Sequence, residues 1–204
     1  MFEPRDTSEL TIEQKIQILF DEREIRNVIY RDCRAKSRGD GDLMRTCFFE
    51  DAIDHHAPFF DLPFSDVADR TSTVMEEIGE MIQYIALQVL IDLDGDVARV
   101  ESYVDSNKIF HKRAENGDQI VRLSGFRNLD RLERRNGEWR IAERWFIPEW
   151  GIFVQQAPLK EAIASYGAGT EASNVMSNQS FLSDNPLPRI RYAFGREDPS
   201  YTVW

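Results

Sequence analysis

The stretch DEREIRNVIYRDCRAKSRGDGDLMRTCFFEDAIDHH, residues 21–56, is the most informative part of the chain. Its apolar residues recur at the i, i+3, i+4, i+8 spacing of an amphipathic helix: Ile25, Val28, Ile29 and Cys33. Continuing this spacing places Asp32 and Lys36 on the same helix face. A carboxylate and an ammonium group on an apolar face are costly unless they pair or line a cavity. This helix therefore predicts a site inside the fold.

The residues around this helix predict its limits. Gly39 is expected to end the helix, and Asp42 is expected to cap a short second helix. Ala52–His56 is then predicted to be a strand, and it carries two of the three histidines. Upstream, Thr11–Gln14 resembles a capping box, so a helical segment is expected to begin there. The pattern leaves open whether that segment continues into the main helix.

The second half of the chain has the pattern of a sheet. Ala57–Phe64 is predicted to be a loop at a pocket mouth, followed by a third helix that begins at Ser65 or Asp66 and ends near Gln83. Alternation with period two then predicts four strands: Tyr84–Asp92, Val97–His111, Gln119–Arg134 and Glu138–Ile147. With the histidine strand, this predicts an α+β fold whose helices pack on one face of a five-stranded antiparallel sheet.

Composition limits the partners and the compartment. The 204 residues suffice for one domain, placed at residues 1–150, with an extension at residues 151–204. A net charge of −11 argues against nucleic acid and anionic membrane as partners, because both need basic surfaces. No apolar run approaches the roughly 20 residues of a membrane span, and the N-terminus lacks the pattern of a secretion signal. Cys33 and Cys47 are expected to be reduced core residues, which favours a cytoplasmic protein.

The extension ends in NPLPRIRYAFGREDPSYTVW, residues 185–204, which is rich in aromatic, proline and arginine residues. Large aromatic side chains favour burial at an interface. We expect this tail to dock on the domain or on a neighbouring subunit, in a homo-oligomer.

Three segments resemble the SnoaL-like family: IRNVIYRDCRAKSRGDGDLMRTCFFEDAID at residues 25–54, LQVLIDLDGDVARVESYV at residues 87–104 and FRNLDRLERRNGEWRIAERWFIPEW at residues 126–150. The resemblance implies the cone-shaped α+β fold shared with nuclear transport factor 2 and scytalone dehydratase. In that fold a curved antiparallel sheet packs on N-terminal helices and encloses an apolar pocket. The family's enzymes are mostly cofactor-free and include dehydratases, dehydrochlorinases, isomerases, polyketide cyclases and some carbon–carbon lyases.

The resemblance also shows a departure from the family's common catalytic pair. Dehydratases of the family commonly use an aspartate at the end of the first long helix and a histidine at the start of the strand after the third helix. Those positions are Ser37 and Tyr84 in this sequence. Both members of the usual pair are therefore replaced.

Other polar residues fall at positions that the family uses. Asp32 lies where relatives often carry a tyrosine or lysine that helps catalysis, and His55 lies where scytalone dehydratase has a tyrosine that helps hold a water. Arg144 lies where the dehydrochlorinase has an arginine that polarises the leaving group, and Asn107 lies near a second histidine of scytalone dehydratase. We therefore name Asp32, His55, Tyr84 and Arg144 as candidate catalytic residues.

Asp32 and Tyr84 each have a structural interpretation beside the functional one. Tyr84 is either a hydrogen-bond donor or acid to a leaving hydroxyl, or a half-buried aromatic side chain of a strand. Asp32 is either a general base or the partner of Lys36 in an i, i+4 pair. His55 shares its strand face with Ile53 and is the inward candidate, which leaves His56 on the surface. Arg144 needs a carboxylate or a substrate anion, and Asp32 or Asp105 can serve. The charged run that begins at Asp130 and continues to Arg135 is expected to be solvated.

The remaining candidates form a predicted substrate-binding set. Both faces of the strand at Val97–His111 are mixed, and the family alignment favours its odd positions. The set is Lys36, Phe59, Tyr103, Asp105, Asn107, Arg127 and Phe146. No three residues have the fixed spacing of a metal site, so no metal is predicted.

These observations favour a cofactor-independent lyase that acts on a small, mainly apolar substrate, with aromatic compounds favoured. The reaction would be a dehydration or elimination, or the loss of a one-carbon fragment through a quinone-methide-like intermediate. Two alternatives stay open: a non-catalytic protein that binds a ligand or resembles a dioxygenase small subunit, and an isomerase or cyclase that uses the same pocket.

Overall fold

The computed structural model describes residues 6–56 and 60–156. The helices are α1 (Ile12–Arg38), α2 (Gly41–Arg45) and α3 (Phe64–Ile78). The strands are β1 (Phe48–His56), β2 (Phe60–Pro63), β3 (Gly79–Asp94), β4 (Val97–Arg113), β5 (Gln119–Arg135) and β6 (Glu138–Gln156).

The six strands form one curved, open sheet in the order β2-β1-β6-β5-β4-β3. Neighbouring strands are antiparallel except β1 and β6, which run parallel. The predicted α+β class, with a curved sheet packed on N-terminal helices, is confirmed. The predicted strand count of five is one too low, because β2 adds a short edge strand.

The first helix is a single unbroken element of 27 residues, which answers the question that the sequence left open. Thr11 and Gln14 form the predicted capping box, and Gly39 ends the helix with φ at 59°, a conformation that glycine adopts without strain. The predicted apolar stripe is buried: Ile25, Val28, Ile29 and Cys33. Asp32 lies on that stripe and is only 1% exposed. The helix therefore carries a carboxylate into the core.

Several predicted boundaries are wrong. The cap of α2 is Asp40, whose side chain accepts a hydrogen bond from the backbone N–H of Leu43, and not Asp42. The helix α3 begins directly after Pro63, without a side-chain cap, and ends at Ile78. Residues 79–83 instead pair with β4, because backbone pairing to a long neighbouring strand outweighs the local helical pattern.

The last strand is longer than predicted and extends to Gln156. Pro148 lies at a register shift between β5 and β6, where proline's missing N–H costs little. At this shift Trp150 lies over Gly125 so closely that a Cβ there would come within 2.1 Å of the indole nitrogen. The predicted domain boundary at residues 150/151 falls inside this strand. The docking predicted for the C-terminal extension concerns residues 157–204, which lie outside the described residues.

The core lies between α1, α2, α3 and one face of the sheet. Its aromatic centre is the stack of Phe48 on Phe64, with ring centroids 3.7 Å apart. Cys33 and Cys47 are buried free thiols, as predicted, and burial raises the pKa of each to about 12. No helix within residues 6–56 and 60–156 combines the length and apolar character that crossing a membrane requires.

Candidate active site

A cavity of about 540 Å³ lies between the helices and the inner face of the sheet, which we define as the face that packs on α1 and α3. This volume is typical of a small-molecule site. Aliphatic side chains of α3 and aromatic side chains of the sheet line much of it, including Val67, Val74, Phe126 and Phe146. The apolar pocket that the resemblance implied is therefore present.

A row of charged side chains crosses the sheet beside this cavity. Asp54, Arg144 and Asp130 occupy directly paired positions on β1, β6 and β5. The Arg144 guanidinium donates two hydrogen bonds to Asp130, at 2.6 and 2.7 Å. Its third bond, at 2.7 Å, goes to Asp32 on α1. Bidentate pairing of this kind fixes the guanidinium plane.

The sequence predicts that Asp32 or Asp105 is the carboxylate partner of Arg144, and the structure agrees with this prediction only in part. Asp32 is one of the two carboxylates proposed as its partner, but Asp105 does not contact it in the described part of the chain. Asp130, predicted to be solvated, is 3% exposed and is the bidentate partner. Arg144 itself is 1% exposed and lines the cavity.

Asp32 lies behind the cavity wall. Its Oδ2 accepts hydrogen bonds from Lys36 at 2.9 Å and from Arg144 at 2.7 Å. Burial acts to raise the pKa of Asp32, but the charges of Arg144 and Lys36 outweigh it and hold this pKa below its usual value. Lys36 and Arg144 line the cavity, whereas Asp32 does not. The Asp32 carboxylate therefore orients the Lys36 ammonium and the Arg144 guanidinium, which face the cavity.

A second carboxylate opens directly on the cavity. Asp54 and His56 lie two residues apart on β1, so their side chains share the inner face. The His56 Nδ1 lies 3.5 Å from the Asp54 Oδ1, and the imidazole stacks on Phe146 at 3.9 Å. Burial acts to raise the pKa of Asp54, but contact with His56 and the charges of Arg144 and Lys36 lower it. Asp54 is thus an anion beside an imidazole.

The family's usual catalytic positions meet here but hold no acid–base pair. The Ser37 hydroxyl donates to the Cys33 carbonyl at 2.8 Å and accepts from the Tyr84 backbone N–H at 2.8 Å. These bonds join α1 to β3. The Tyr84 side chain lines the cavity, with its ring packed edge-on against Phe126 at 6.2 Å. Tyr84 is therefore placed to donate a hydrogen bond from its hydroxyl to a ligand.

His55 faces away from the cavity, so its predicted inward orientation is wrong. Its Nδ1 lies 2.9 Å from Asp61 and its Nε2 lies 3.1 Å from Glu143. The ring stacks on Trp145 at 5.0 Å. The inner face of β1 instead carries Ala52, Asp54 and His56, whereas Ile53, used to assign the faces, is only half-buried.

The His55 contacts predict a small pH-dependent contribution to stability. Burial acts to lower the pKa of His55, but hydrogen bonds to Asp61 and Glu143 outweigh it and raise this pKa. The stabilisation should be complete below the unfolded-state pKa and lost as pH rises through the folded-state pKa. His55→Gln should therefore cost more at about pH 5 than at about pH 8.5, by less than about 1 kcal/mol because the pair is partly exposed. Urea unfolding measures this.

The matched control for this prediction is the variant Asp61→Asn with Glu143→Gln. Adding His55→Gln to it should give the same change in unfolding free energy at both pH values. A pH dependence that persists in this background would contradict the assignment.

The odd positions of β4 also lie on the outer face, contrary to the expectation from the family alignment. Ser106 and Lys108 line the cavity, so Tyr103, Asp105 and Asn107 point the other way. Asn107 donates to Gln83 at 3.3 Å on that outer face.

Of the other predicted substrate-binding residues, Lys36 and Phe146 line the cavity and Arg127 does not. Arg127 bonds Glu149 at 2.5 Å and Glu101 at 3.2 Å. Phe59 lies outside the described residues. Within residues 6–56 and 60–156, no group of three or more His, Cys, Asp or Glu side chains is arranged to hold a metal ion.

The sequence model of the SnoaL-like domain matches residues 17–145, which is more than half of the chain. Searching the curated protein sequences gives no match. Among solved structures, a protein provisionally named a scytalone dehydratase, from Novosphingobium aromaticivorans, is 15% identical with a TM-score of 0.60. The alignment covers 71% of this chain and 97% of that one.

Two further structures are similar. The hexachlorocyclohexane dehydrochlorinase of type 3 from Novosphingobium barchaimii is 13% identical with a TM-score of 0.59, over 70% of this chain and 94% of that one. A nuclear transport factor 2-like protein from Salmonella enterica is 17% identical with a TM-score of 0.57, over 65% and 94%. At such low identities these likenesses show a shared fold. Together with the domain match, they establish that the chain belongs to the SnoaL-like family and has its nuclear transport factor 2-like fold.

Proposed function

We propose that the protein is a cofactor-independent lyase for a small, mainly apolar substrate, with aromatic compounds favoured. The observation that carries this proposal is the Asp54–His56 pair, which opens on an apolar cavity beside the buried Arg144. A proton-transfer group next to a fixed cation inside an apolar cage suits an elimination.

In this proposal His56 is the general base. Its imidazole removes a proton from the carbon next to the one that bears the leaving hydroxyl. Asp54, held as an anion, orients the ring through Nδ1 and stabilises the imidazolium that forms. The 3.5 Å contact tightens when substrate fills the cavity.

The leaving group needs a proton donor and a nearby positive charge. Tyr84 donates a hydrogen bond to the departing oxygen, and Arg144 and Lys36 stabilise the developing negative charge. The C–O bond breaks, the leaving hydroxide takes the proton of the Tyr84 hydroxyl and departs as water, and the electrons of the C–H bond form the alkene. The proton on His56 then returns to Tyr84 through solvent. A para-hydroxyphenyl substrate can instead lose water to a quinone methide. His56 then takes the proton of the hydroxymethyl O–H, and the bond between that carbon and its neighbour breaks to release formaldehyde. The electrons of the broken C–C bond form an alkene and restore the aromatic ring as a phenolate, which takes the proton back.

Asp32 acts in this proposal as a positioning residue. It lies off the cavity wall, and the same Oδ2 bonds both cations. Asp32→Asn should therefore lower kcat. The limb of the pH–rate profile that belongs to the general base should stay unchanged. Loss of that limb in Asp32→Asn, with the limb intact in His56→Gln, would instead make Asp32 the base.

The test is the mass of the product formed from aryl 1,3-propanediols that carry a para-hydroxyl group. A lyase releases water or formaldehyde from such a substrate. A product of unchanged mass would favour the isomerase or cyclase. Binding of such a compound without any product would favour a non-catalytic, ligand-binding protein. The observation that supports this alternative is the replacement of the family's usual acid–base pair by Ser37 and Tyr84.

We also propose that the protein is a homo-oligomer. Large apolar side chains stay exposed on β3 and on the distal half of β6: Ile85, Leu87, Leu90, Trp150, Ile152 and Phe153. Burying such a surface against another copy is favourable. Light scattering on a sizing column should give a mass at least twice that of the 23.8 kDa chain. A monomeric mass at micromolar concentration would contradict this proposal.

A further inference from the structure

Two cations face each other in the cavity wall without an acidic partner among the described residues. Lys108 on β4 and Arg122 on β5 are directly paired in the sheet register, and both line the cavity. Like charges at directly opposed positions destabilise a sheet. A pair of this kind therefore needs a reason other than stability.

Other arginines of the same sheet have carboxylate partners. Arg113 pairs with Glu80, Arg127 pairs with Glu101, and Arg144 pairs with Asp130. Within residues 6–56 and 60–156, the cation contacts of the opposed pair are with aromatic rings. The Lys108 ammonium lies 5.3 Å from the Tyr84 ring centre, and the Arg122 guanidinium lies 5.9 Å from that of Phe153. Their hydrogen-bond donors stay available to a ligand.

The cavity wall is cationic although the chain as a whole is acidic. The net charge of the chain is −11, yet among the residues that the structure describes the wall carries one carboxylate, Asp54. The basic residues that line it are Lys36, Arg70, Lys108, Arg122 and Arg144. A cleft with one sign of charge and apolar walls attracts a ligand of the opposite sign.

We propose that Lys108 and Arg122 bind a carboxylate of the substrate, which makes the substrate an aromatic carboxylic acid. This inference rests on the proposed function for the reacting end of the cavity. Tyr84, Phe126 and Phe146 form an aromatic wall between the two ends, with the Phe126 and Phe146 ring centres 4.8 Å apart.

The strand geometry sets the length of such a substrate. Phe126 and Arg122 are four residues apart on β5, which corresponds to about 13 Å between their Cα atoms. The Arg122 side chain extends several ångströms from its Cα atom, so the distance from the Phe126 ring to the guanidinium that a ligand must span is shorter than this. An aromatic ring with a short side chain fills it, with the carboxylate at the cations and the reacting carbon near His56.

Isothermal titration with 4-hydroxycinnamate and its neutral amide tests the inference. The acid should bind at least about tenfold more tightly than the amide, because a charged hydrogen bond is lost with the amide. Lys108→Gln and Arg122→Gln should each weaken binding of the acid about tenfold and change binding of the amide by less than about twofold. The matched control is Arg99→Gln, which removes a cation from an exposed position on the same strand as Lys108 and should change neither affinity.

Three results would overturn the inference: equal affinity for acid and amide, no measurable binding of either, or equal effects of Arg99→Gln and Arg122→Gln. The readout is affinity, so it separates this inference from the proposed lyase. Acid bound through these cations without turnover of any aryl substrate would overturn only the lyase. Turnover of a para-hydroxyaryl diol that carries a carboxylate, unchanged in kcat/KM in Arg122→Gln, would overturn only the carboxylate site.

Discussion

Replacing His56 with glutamine is expected to lower turnover by a factor of about 10² to 10⁴, the usual contribution of one positioned proton-transfer group. Glutamine keeps a polar side chain of similar reach but cannot accept a proton at neutral pH. The stack on Phe146 and the contact with Asp54 mark this residue as the imidazole on the cavity side of β1. Steady-state rates on a substrate found by product mass measure the loss.

The matched control is the neighbouring histidine. His55→Gln removes an imidazole from the same strand but from the outer face, where its partners are Asp61 and Glu143. Its turnover should stay within about threefold of the wild type, since a change outside the cavity removes no proton-transfer group. A larger loss of turnover in His55→Gln than in His56→Gln would make His55 the catalytic histidine, as the sequence predicts.

Replacing Arg144 with methionine is expected to lower the free energy of unfolding by about 3–5 kcal/mol. The guanidinium is 1% exposed and bonds both Asp32 and Asp130, so its removal leaves two buried carboxylates without their main partner. Burial acts to lower the pKa of Arg144, but the two carboxylates outweigh it and raise this pKa well above its ordinary value. Urea unfolding measures the loss.

A second substitution separates the charge effect from lost packing. Asp130→Asn added to Arg144→Met removes one orphaned charge and should recover about 1–2 kcal/mol. Arg99→Met, at a side chain 72% exposed, should cost less than about 0.5 kcal/mol. Equal losses in Arg144→Met and Arg99→Met would show that the buried ion cluster contributes nothing.

The parts of the fold with a strong local pattern could be predicted from the sequence. The stripe from Ile25 to Cys33, the capping box at Thr11 and the glycine stop at Gly39 each depend on a few neighbouring residues. A carboxylate on an apolar stripe is costly, which marks Asp32 as a site residue, and Asp32 does lie in the core. The helical spacing alone predicts that burying this carboxylate is unfavourable unless it has a partner, and no tertiary contact is needed for that prediction.

The rest of the site depends on register, which the sequence does not specify. Asp130 meets Arg144 only because β5 and β6 align these two positions, and its own neighbours suggested a solvated turn. The large apolar residue Ile53 predicts the wrong buried face for β1, because it is the small neighbouring residue Ala52 that lies in the core. Their two-residue spacing places Asp54 and His56 on one face of the strand, but that face is predicted to be the outer one, so the pair is not predicted to reach the cavity. That spacing was the available signal.

The most direct test of the central claim is a crystal structure of the protein soaked in 4-hydroxycinnamate. Bound ligand should lie in the cavity, packed against Phe126 and Phe146, with one end within hydrogen-bond distance of His56. Ligand on the outer face of the sheet beside His55, or a cavity closed by side chains, would contradict the claim that this pocket holds the chemistry.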